Sequence, residues 1–265
     1  MGVTRLGIRS GGFAVAEAGL VIKRLAGELV VVEGAADDPS VLLEALTDGV
    51  VDAVLLPAGL ASPGARTELA GIPKRRDARD GLTGDVTLAG LPAGAPVAVD
   101  SSLRRAQLLG RRTDLVPVPP GADAVAAIAA LVALDDPDAT AEVFDIADWP
   151  TAPGQGALAI FTRRGEAAIA AGVDHRASRL TVLAELGVLE RLDPIAGATL
   201  AAHAELDDGL LFLSARVYHP DGSGHHTSSH ALYPEDSKDP IAALADRVAA
   251  ELLAQGAGSP DTGWS

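Results

Sequence analysis

The alternation that opens the chain constrains its fold most. A short apolar run at residues 6–9 gives way at Gly11-Gly12 to a helical pattern over residues 13–25. A second apolar run at 29–33 leads into Asp37-Asp38-Pro39, where Pro39 suits a first helical position. The helix then expected over 40–47 closes at Gly49, and residues 51–56 read as a buried strand. Strands separated by helices pair in parallel, because each crossover returns the chain to the same end of the sheet. An α/β fold with parallel-rich sheets follows, with ligands expected beyond the carboxyl ends of the strands.

The same grammar recurs downstream. Residues 57–73, rich in Pro, Gly and Ala, predict a loop, and the Gly/Pro-rich stretch 84–96 predicts a hinge into a second α/β unit. That unit would hold a strand at 97–99, a helix at 103–109, a strand near 115–118, an apolar helix at 123–134 and a strand near 142–146. Residues 150–156 read as a second hinge, and a strand at 157–162 leads back. Two strand crossings between two α/β lobes is the organisation of a periplasmic-binding-protein-like clamp. A helix over 178–191 follows, then alternating residues over 199–234 that predict a hairpin about Pro220-Asp221-Gly222, and an amphipathic helix over 240–254. The expected domains are a first lobe of 1–86 with about 157–175, a second lobe of 96–150, and a small C-terminal α+β domain of 190–265 whose tail from 256 frays.

Composition removes several function classes. A net charge of −15 over 265 residues opposes nucleic-acid binding, which needs a basic face. No apolar run approaches the ~20 residues of a membrane span, and the N-terminus lacks a signal peptide's order of charge then apolar residues. A soluble, cytoplasmic, monomeric protein is expected. The chain has no cysteine, which removes disulfides, thiolate metal sites and thiol nucleophiles together.

The segment 97–112, VAVDSSLRRAQLLGRR, carries the main candidate site. A strand ends at Asp100-Ser101-Ser102, and a helix starts with Arg104 and Arg105 in its first turn. Free N–H groups, two hydroxyls (Ser101, Ser102) and two guanidiniums make a cradle for carboxylates or phosphates. The competing reading is a capped surface helix with solvated arginines. Four histidines, His219, His225, His226 and His230, gather around one predicted turn. Loop histidines rarely converge as metal ligands, so no metal is expected. Trp149, beside Pro150, reads as packing between the lobes.

SSLRRAQLL resembles a signature of the porphobilinogen deaminase (hydroxymethylbilane synthase) family, and further parts of that pattern occur in order. Ile8-Arg9-Ser10 resembles the family's first strand-to-helix turn, and Arg75-Arg76-Asp77-Ala78-Arg79-Asp80 its basic-acidic segment. Pro153-Gly154-Gln155-Gly156-Ala157-Leu158 is similar to its GQGA return, and Ala204-Glu205-Leu206 with Asp221-Gly222 to its C-terminal hairpin. The resemblance implies a clamp of two lobes with the site in the cleft. It also implies head-to-tail assembly of porphobilinogens into a linear tetrapyrrole, grown on a dipyrromethane held by a cysteine thioether. An aspartate would stabilise pyrrole cations, and arginines would hold the substrate carboxylates.

Against that pattern the chain departs where the chemistry is done. The cysteine position falls at Ala196, with Asp193 and Thr199 nearby, and the aspartate position falls at Leu60, preceded by Gly59. Residues 54–63 hold no acid, and Asp52 reads as the polar edge of a strand. Residues 121–127 lack the arginines the family carries there. What remains for an anionic ligand is Arg9, Arg75, Arg79, Ser101, Ser102, Arg104, Arg105 and Gln155. The reading is a deaminase-like protein of tetrapyrrole (haem) biosynthesis, catalytically impaired, without the dipyrromethane cofactor, whose cleft takes an anionic pyrrole or linear tetrapyrrole. The alternatives are an active hydroxymethylbilane synthase of unusual mechanism, and a non-catalytic scaffold or regulator of another tetrapyrrole enzyme.

Overall fold

The computed structural model describes residues 3–8, 13–25, 27–32, 38–60, 62–134, 140–193 and 197–257. The chain divides into two units, Met1–Asp77 with Gly154–Arg179, and Ala78–Pro153 with Leu180–Ser265. In the first, the apolar runs become β1 (Thr4–Ile8), β2 (Gly27–Val31) and β3 (Ala53–Pro57), linked by α1 (Phe13–Leu25) and α2 (Ser40–Thr47). With β4 (Thr67–Gly71) and the returning β10 (Leu158–Arg163) they form one sheet in the order β2-β1-β3-β10-β4. β1 is parallel to both its neighbours, and β10 is antiparallel to both of its own. Leu6, Ile8, Leu55 and Ile160 are fully buried against Ala18 and Val21 of α1, so the helix's apolar stripe covers the sheet. Pro39 is the cap residue of α2, one position before the expected one, and Gly49 closes the helix at φ +76°.

The second unit builds its sheet the same way. β5 (Asp80–Thr83), β6 (Pro96–Val99), β7 (Val116–Val118), β8 (Ala126–Ala130) and β9 (Thr140–Val143) lie in the order β7-β6-β8-β5-β9. β6 is parallel to both neighbours and β5 antiparallel to both. In each sheet, then, the first of the parallel strands lies between the second and third, and one strand delivered by the other crossing runs backwards beside the third. This is the parallel-rich α/β architecture that the sequence predicts. α3 (Ser102–Arg111) follows β6 directly and buries Leu103, Ala106 and Leu108.

Three expectations are corrected. Residues 57–73 are not all loop, since β4 pairs there with β10. Residues 84–96 are not the hinge, and the first lobe does not run to 86. β5 already belongs to the second sheet, and Arg112 holds the stretch inside that unit by donating to the Leu88 and Leu91 carbonyls at 2.8 and 2.9 Å. Residues 123–134 are not a helix but β8 and one 3₁₀ turn (Leu131–Ala133). Ala126, Ile128 and Ala130 alternate inward, and ladder bonds to β5 and β6 on both edges override the helix propensity of alanine.

The C-terminal part holds α4 (Arg176–Leu192), the antiparallel strands β11 (Leu200–Asp207), β12 (Leu210–Tyr218) and β13 (His225–Leu232), and α5 (Pro240–Ala254). Val188, Leu192, Leu213, Leu244, Val248 and Leu252 form its core. The expected hairpin is a three-stranded meander. Asp208 and Gly209, both at positive φ, make a two-residue turn that joins β11 to β12. Among the described residues no helix is long and apolar enough to cross a membrane.

The β12–β13 turn rests on α3 through glycine. A Cβ on Gly222 (φ +78°) would lie 2.5 Å from the Gly110 nitrogen and 2.7 Å from the Ala106 carbonyl oxygen. Gly209 has a similar φ of +84° and open space around it. Gly209→Ala is therefore expected to cost about 1 kcal/mol, the strain of a left-handed alanine. Gly222→Ala adds overlap with the α3 backbone and is expected to cost about 3 kcal/mol or more. Denaturant melts of both variants check the difference.

Candidate functional site

The start of α3 is built by its own sequence. Ser101, extended at φ −142° and ψ 154°, caps the helix, its hydroxyl oxygen accepting from the Arg104 N–H at 3.2 Å. Ser101, Ser102 and Arg105 face solvent, whereas Leu103 and Arg104 turn inward. The site lies at the carboxyl end of β6, where sheets of this kind present ligand groups.

Arg104 does not face solvent as the sequence suggests. It is 8% exposed, and Nε and Nη2 donate to both oxygens of the Asp80 carboxylate at 3.0 and 2.7 Å. Nη1 donates to Asp100 at 2.5 Å. Asp80, itself 1% exposed, also accepts from Trp149 Nε1 at 3.0 Å, and the Trp149 indole stacks on Phe144 at 4.5 Å. Burial alone would lower the Arg104 pKa. The two carboxylates outweigh it and hold the guanidinium above its ordinary value, permanently charged. Trp149 thus packs within the second unit, where it donates to Asp80.

In the first unit, Arg75 Nε donates to the Gln155 carbonyl at 2.9 Å, and its backbone N–H donates to Ser178 Oγ at 2.9 Å. His175 Nδ1 lies 2.9 Å from the same hydroxyl, so the Arg75 backbone is fastened to the start of α4. Gln155 is half-buried and meets Arg75 through its backbone. Arg79 belongs to the second unit, where its side chain is exposed and its carbonyl accepts from Leu131 N–H at 3.0 Å. Arg9 and Ala196 lie outside the described residues. Leu60 ends a 3₁₀ turn directly after β3 and is 51% exposed. Asp52 is structural, paired with Arg5 at 2.9 Å and with Arg163 at 3.5 Å.

The histidines are not turn residues alone, since His225, His226 and His230 lie in β13. His230 Nε2 meets Glu251 at 2.8 Å and His219 Nδ1 meets Asp221 at 2.5 Å. Among the described residues no three His, Asp or Glu side chains gather as a metal ion would require. Sequence reasoning missed the two carboxylates on Arg104. Asp80 stood in the recognised basic-acidic segment and Asp100 before the cap, but nothing in their spacing says that they meet one guanidinium.

No family model matches the chain. It is 37% identical over 250 residues to a protein named porphobilinogen deaminase from Leifsonia xyli subsp. xyli, covering 82% of this chain and 75% of the relative. The porphobilinogen deaminase of Mycolicibacterium gilvum is 32% identical, with 96% of each chain covered, and that of Corynebacterium diphtheriae is 33% identical over 209 residues, with 70% and 69% covered. Among solved structures, the immunogenic lipoprotein A of Vibrio vulnificus covers 66% of this chain and 96% of its own at 14% identity and a TM-score of 0.42. The methionine binding protein MetQ covers 64% and 86% at 18% identity and a TM-score of 0.41.

Two outcomes are expected of these contacts. Arg104→Gln leaves the buried Asp80 carboxylate uncompensated and should cost about 3–5 kcal/mol, whereas exposed Arg105→Gln should shift stability by less than about 0.5 kcal/mol; denaturant melts compare them. The hydrogen bond from Arg5 holds the Asp52 pKa at about 2, below the ordinary 3.8. Its folded pKa being depressed, Asp52 stabilises the fold fully above the ordinary value, and that contribution drains away as pH falls towards 2. Asp52→Asn should flatten the acid limb of the stability–pH curve over that window, measured by melts at stepped pH.

Proposed function

Because the chain belongs to the porphobilinogen deaminase family, we propose that it serves tetrapyrrole biosynthesis as a member that has lost the assembly chemistry and kept a surface for an anionic pyrrole or linear tetrapyrrole. The absence of cysteine from all 265 residues carries this reading. A thioether to dipyrromethane needs a thiolate, and neither a methyl nor a hydroxyl replaces it. The residues present therefore do not fit that cofactor. Ala196, matched to the anchor, lies outside the described residues, but no other position of the chain offers a thiol either. Leu60, at the aspartate position, gives a half-exposed apolar side chain where a developing pyrrole cation needs negative charge.

The binding surface proposed is Ser101, Ser102 and Arg105 at the start of α3, with Arg104 positioning that turn from inside. Arg9, Arg75, Arg79 and Gln155 are proposed as further contacts to carboxylates. We propose a cytoplasmic monomer in three parts, two lobes and a C-terminal domain from about residue 190. One observation favours the scaffold reading beside it. The Asp80 and Asp100 carboxylates compensate Arg104, so Arg105 is the guanidinium of that turn that faces solvent.

The test is made on the full chain produced in a haem-competent host. Intact-mass spectrometry should give the bare polypeptide, and purified protein should not release hydroxymethylbilane from porphobilinogen. Calorimetry should detect binding of porphobilinogen or a linear tetrapyrrole, weakened about tenfold or more by Arg105→Ala with Ser102→Ala. Robust turnover, or an added dipyrromethane mass, overturns the loss of chemistry. Absence of binding overturns the ligand reading and leaves the scaffold.

A further inference from the structure

The second unit contains a cavity of about 460 Å³ that the α3 start does not share. It lies between the last turns of α3, the Asp148-Trp149 turn, the end of β12 and the β12–β13 turn. Gln107, Arg111, Trp149, Arg216, Tyr218 and His225 supply its chemistry. We propose that this cavity is a second binding site, for a small organic dianion that also carries a hydrogen-bond donor.

Its charge is the first argument. In a chain of net charge −15, two arginines line this cavity. Arg216 Nη2 is aimed by the Ala147 carbonyl at 2.7 Å, and Arg111 Nη2 by the Asp148 carbonyl at 2.9 Å. One Nη of each is thereby fixed, and fixed guanidiniums suit bidentate recognition of carboxylate or phosphate. The lining carboxylate, Asp148, is exposed and lies 3.8 Å from Arg111. His225 registers the same positive region. Burial lowers its pKa first, and Arg216 and His226 lower it further.

Gln107 is the second, independent argument. It is 3% exposed, and its Nε2 donates to the Pro150 carbonyl at 2.6 Å. Its Oε1 is buried and has no partner among the described residues. An unsatisfied buried carbonyl costs free energy that a ligand's O–H or N–H recovers. The aromatic wall is preformed, since Tyr218 and His225 pack ring to ring at 5.1 Å and Trp149 is held by Asp80. Gly222 seats the turn on α3 and so closes one side of the cavity.

Trp149 reports on the site, and Trp264→Phe removes the chain's other tryptophan, which lies outside the described residues. In that background, malate, succinate and inorganic phosphate are titrated against full-length protein and tryptophan emission is followed. Malate should give a saturable change about fivefold tighter than succinate, the worth of one donor to Gln107. Arg111→Gln with Arg216→Gln should weaken malate about tenfold or more, and exposed Arg111→Gln alone about fivefold, should the double variant not fold. Arg105→Gln should leave the titration unchanged, which separates this cavity from the α3 start. No saturable change with any of the three, unchanged affinity in the arginine variants, or loss in Arg105→Gln overturns the proposal.

Discussion

One carboxylate holds the start of α3 in place. Asp80 receives two hydrogen bonds from Arg104 and one from Trp149, and so joins the first residue of β5, the first turn of α3 and the loop just before Pro150. Burying an ion pair is expensive, and it persists only where geometry and supplementary hydrogen bonds replace the lost water. Here the bond is bidentate, Asp100 supplies a third acceptor to the guanidinium, and the indole donates a further hydrogen bond to Asp80. Remove any one of these and the start of α3 loses the constraint that turns Arg104 inward and Ser101, Ser102 and Arg105 outward.

That constraint also decides which groups of the α3 start face solvent. A helix start of two serines and two arginines suggests a strongly cationic cradle, yet Arg104 is charge-compensated inside the protein. What faces solvent is hydroxyl, backbone N–H and the guanidinium of Arg105, a milder surface than the motif implies. The apolar, half-exposed Leu60 turn at the end of β3 points the same way in the other unit. The chain keeps the Ser101 cap while carrying no cysteine, and Leu60 stands where the family's aspartate is matched.

The two units repeat one topology, and its cost falls on the crossings. Each sheet borrows an antiparallel strand, β10 in the first and β5 in the second, from chain that has just crossed over. The borrowed strand lies beside the third parallel strand and pairs along both edges, so the change of unit must come before β5 and before β10. That is why the boundaries fall at Asp77/Ala78 and Pro153/Gly154 and not at the most glycine-rich stretch.

The sequence by itself determined the elements whose signals are local. α1, α2 and α5 begin and end where periodicity, Gly49 and Pro240 place them, and the Ser101 cap and the lack of any cysteine need no third dimension. It also carried the family, through motifs in order along the chain. Tertiary structure alone decided the rest, because those outcomes depend on partners distant in sequence. Residues 126–130 are strand because β5 and β6 flank them, and alanine's helix propensity is too weak to resist two ladders. Arg104 is buried because Asp80, 24 residues away, meets it, and no spacing rule encodes that meeting.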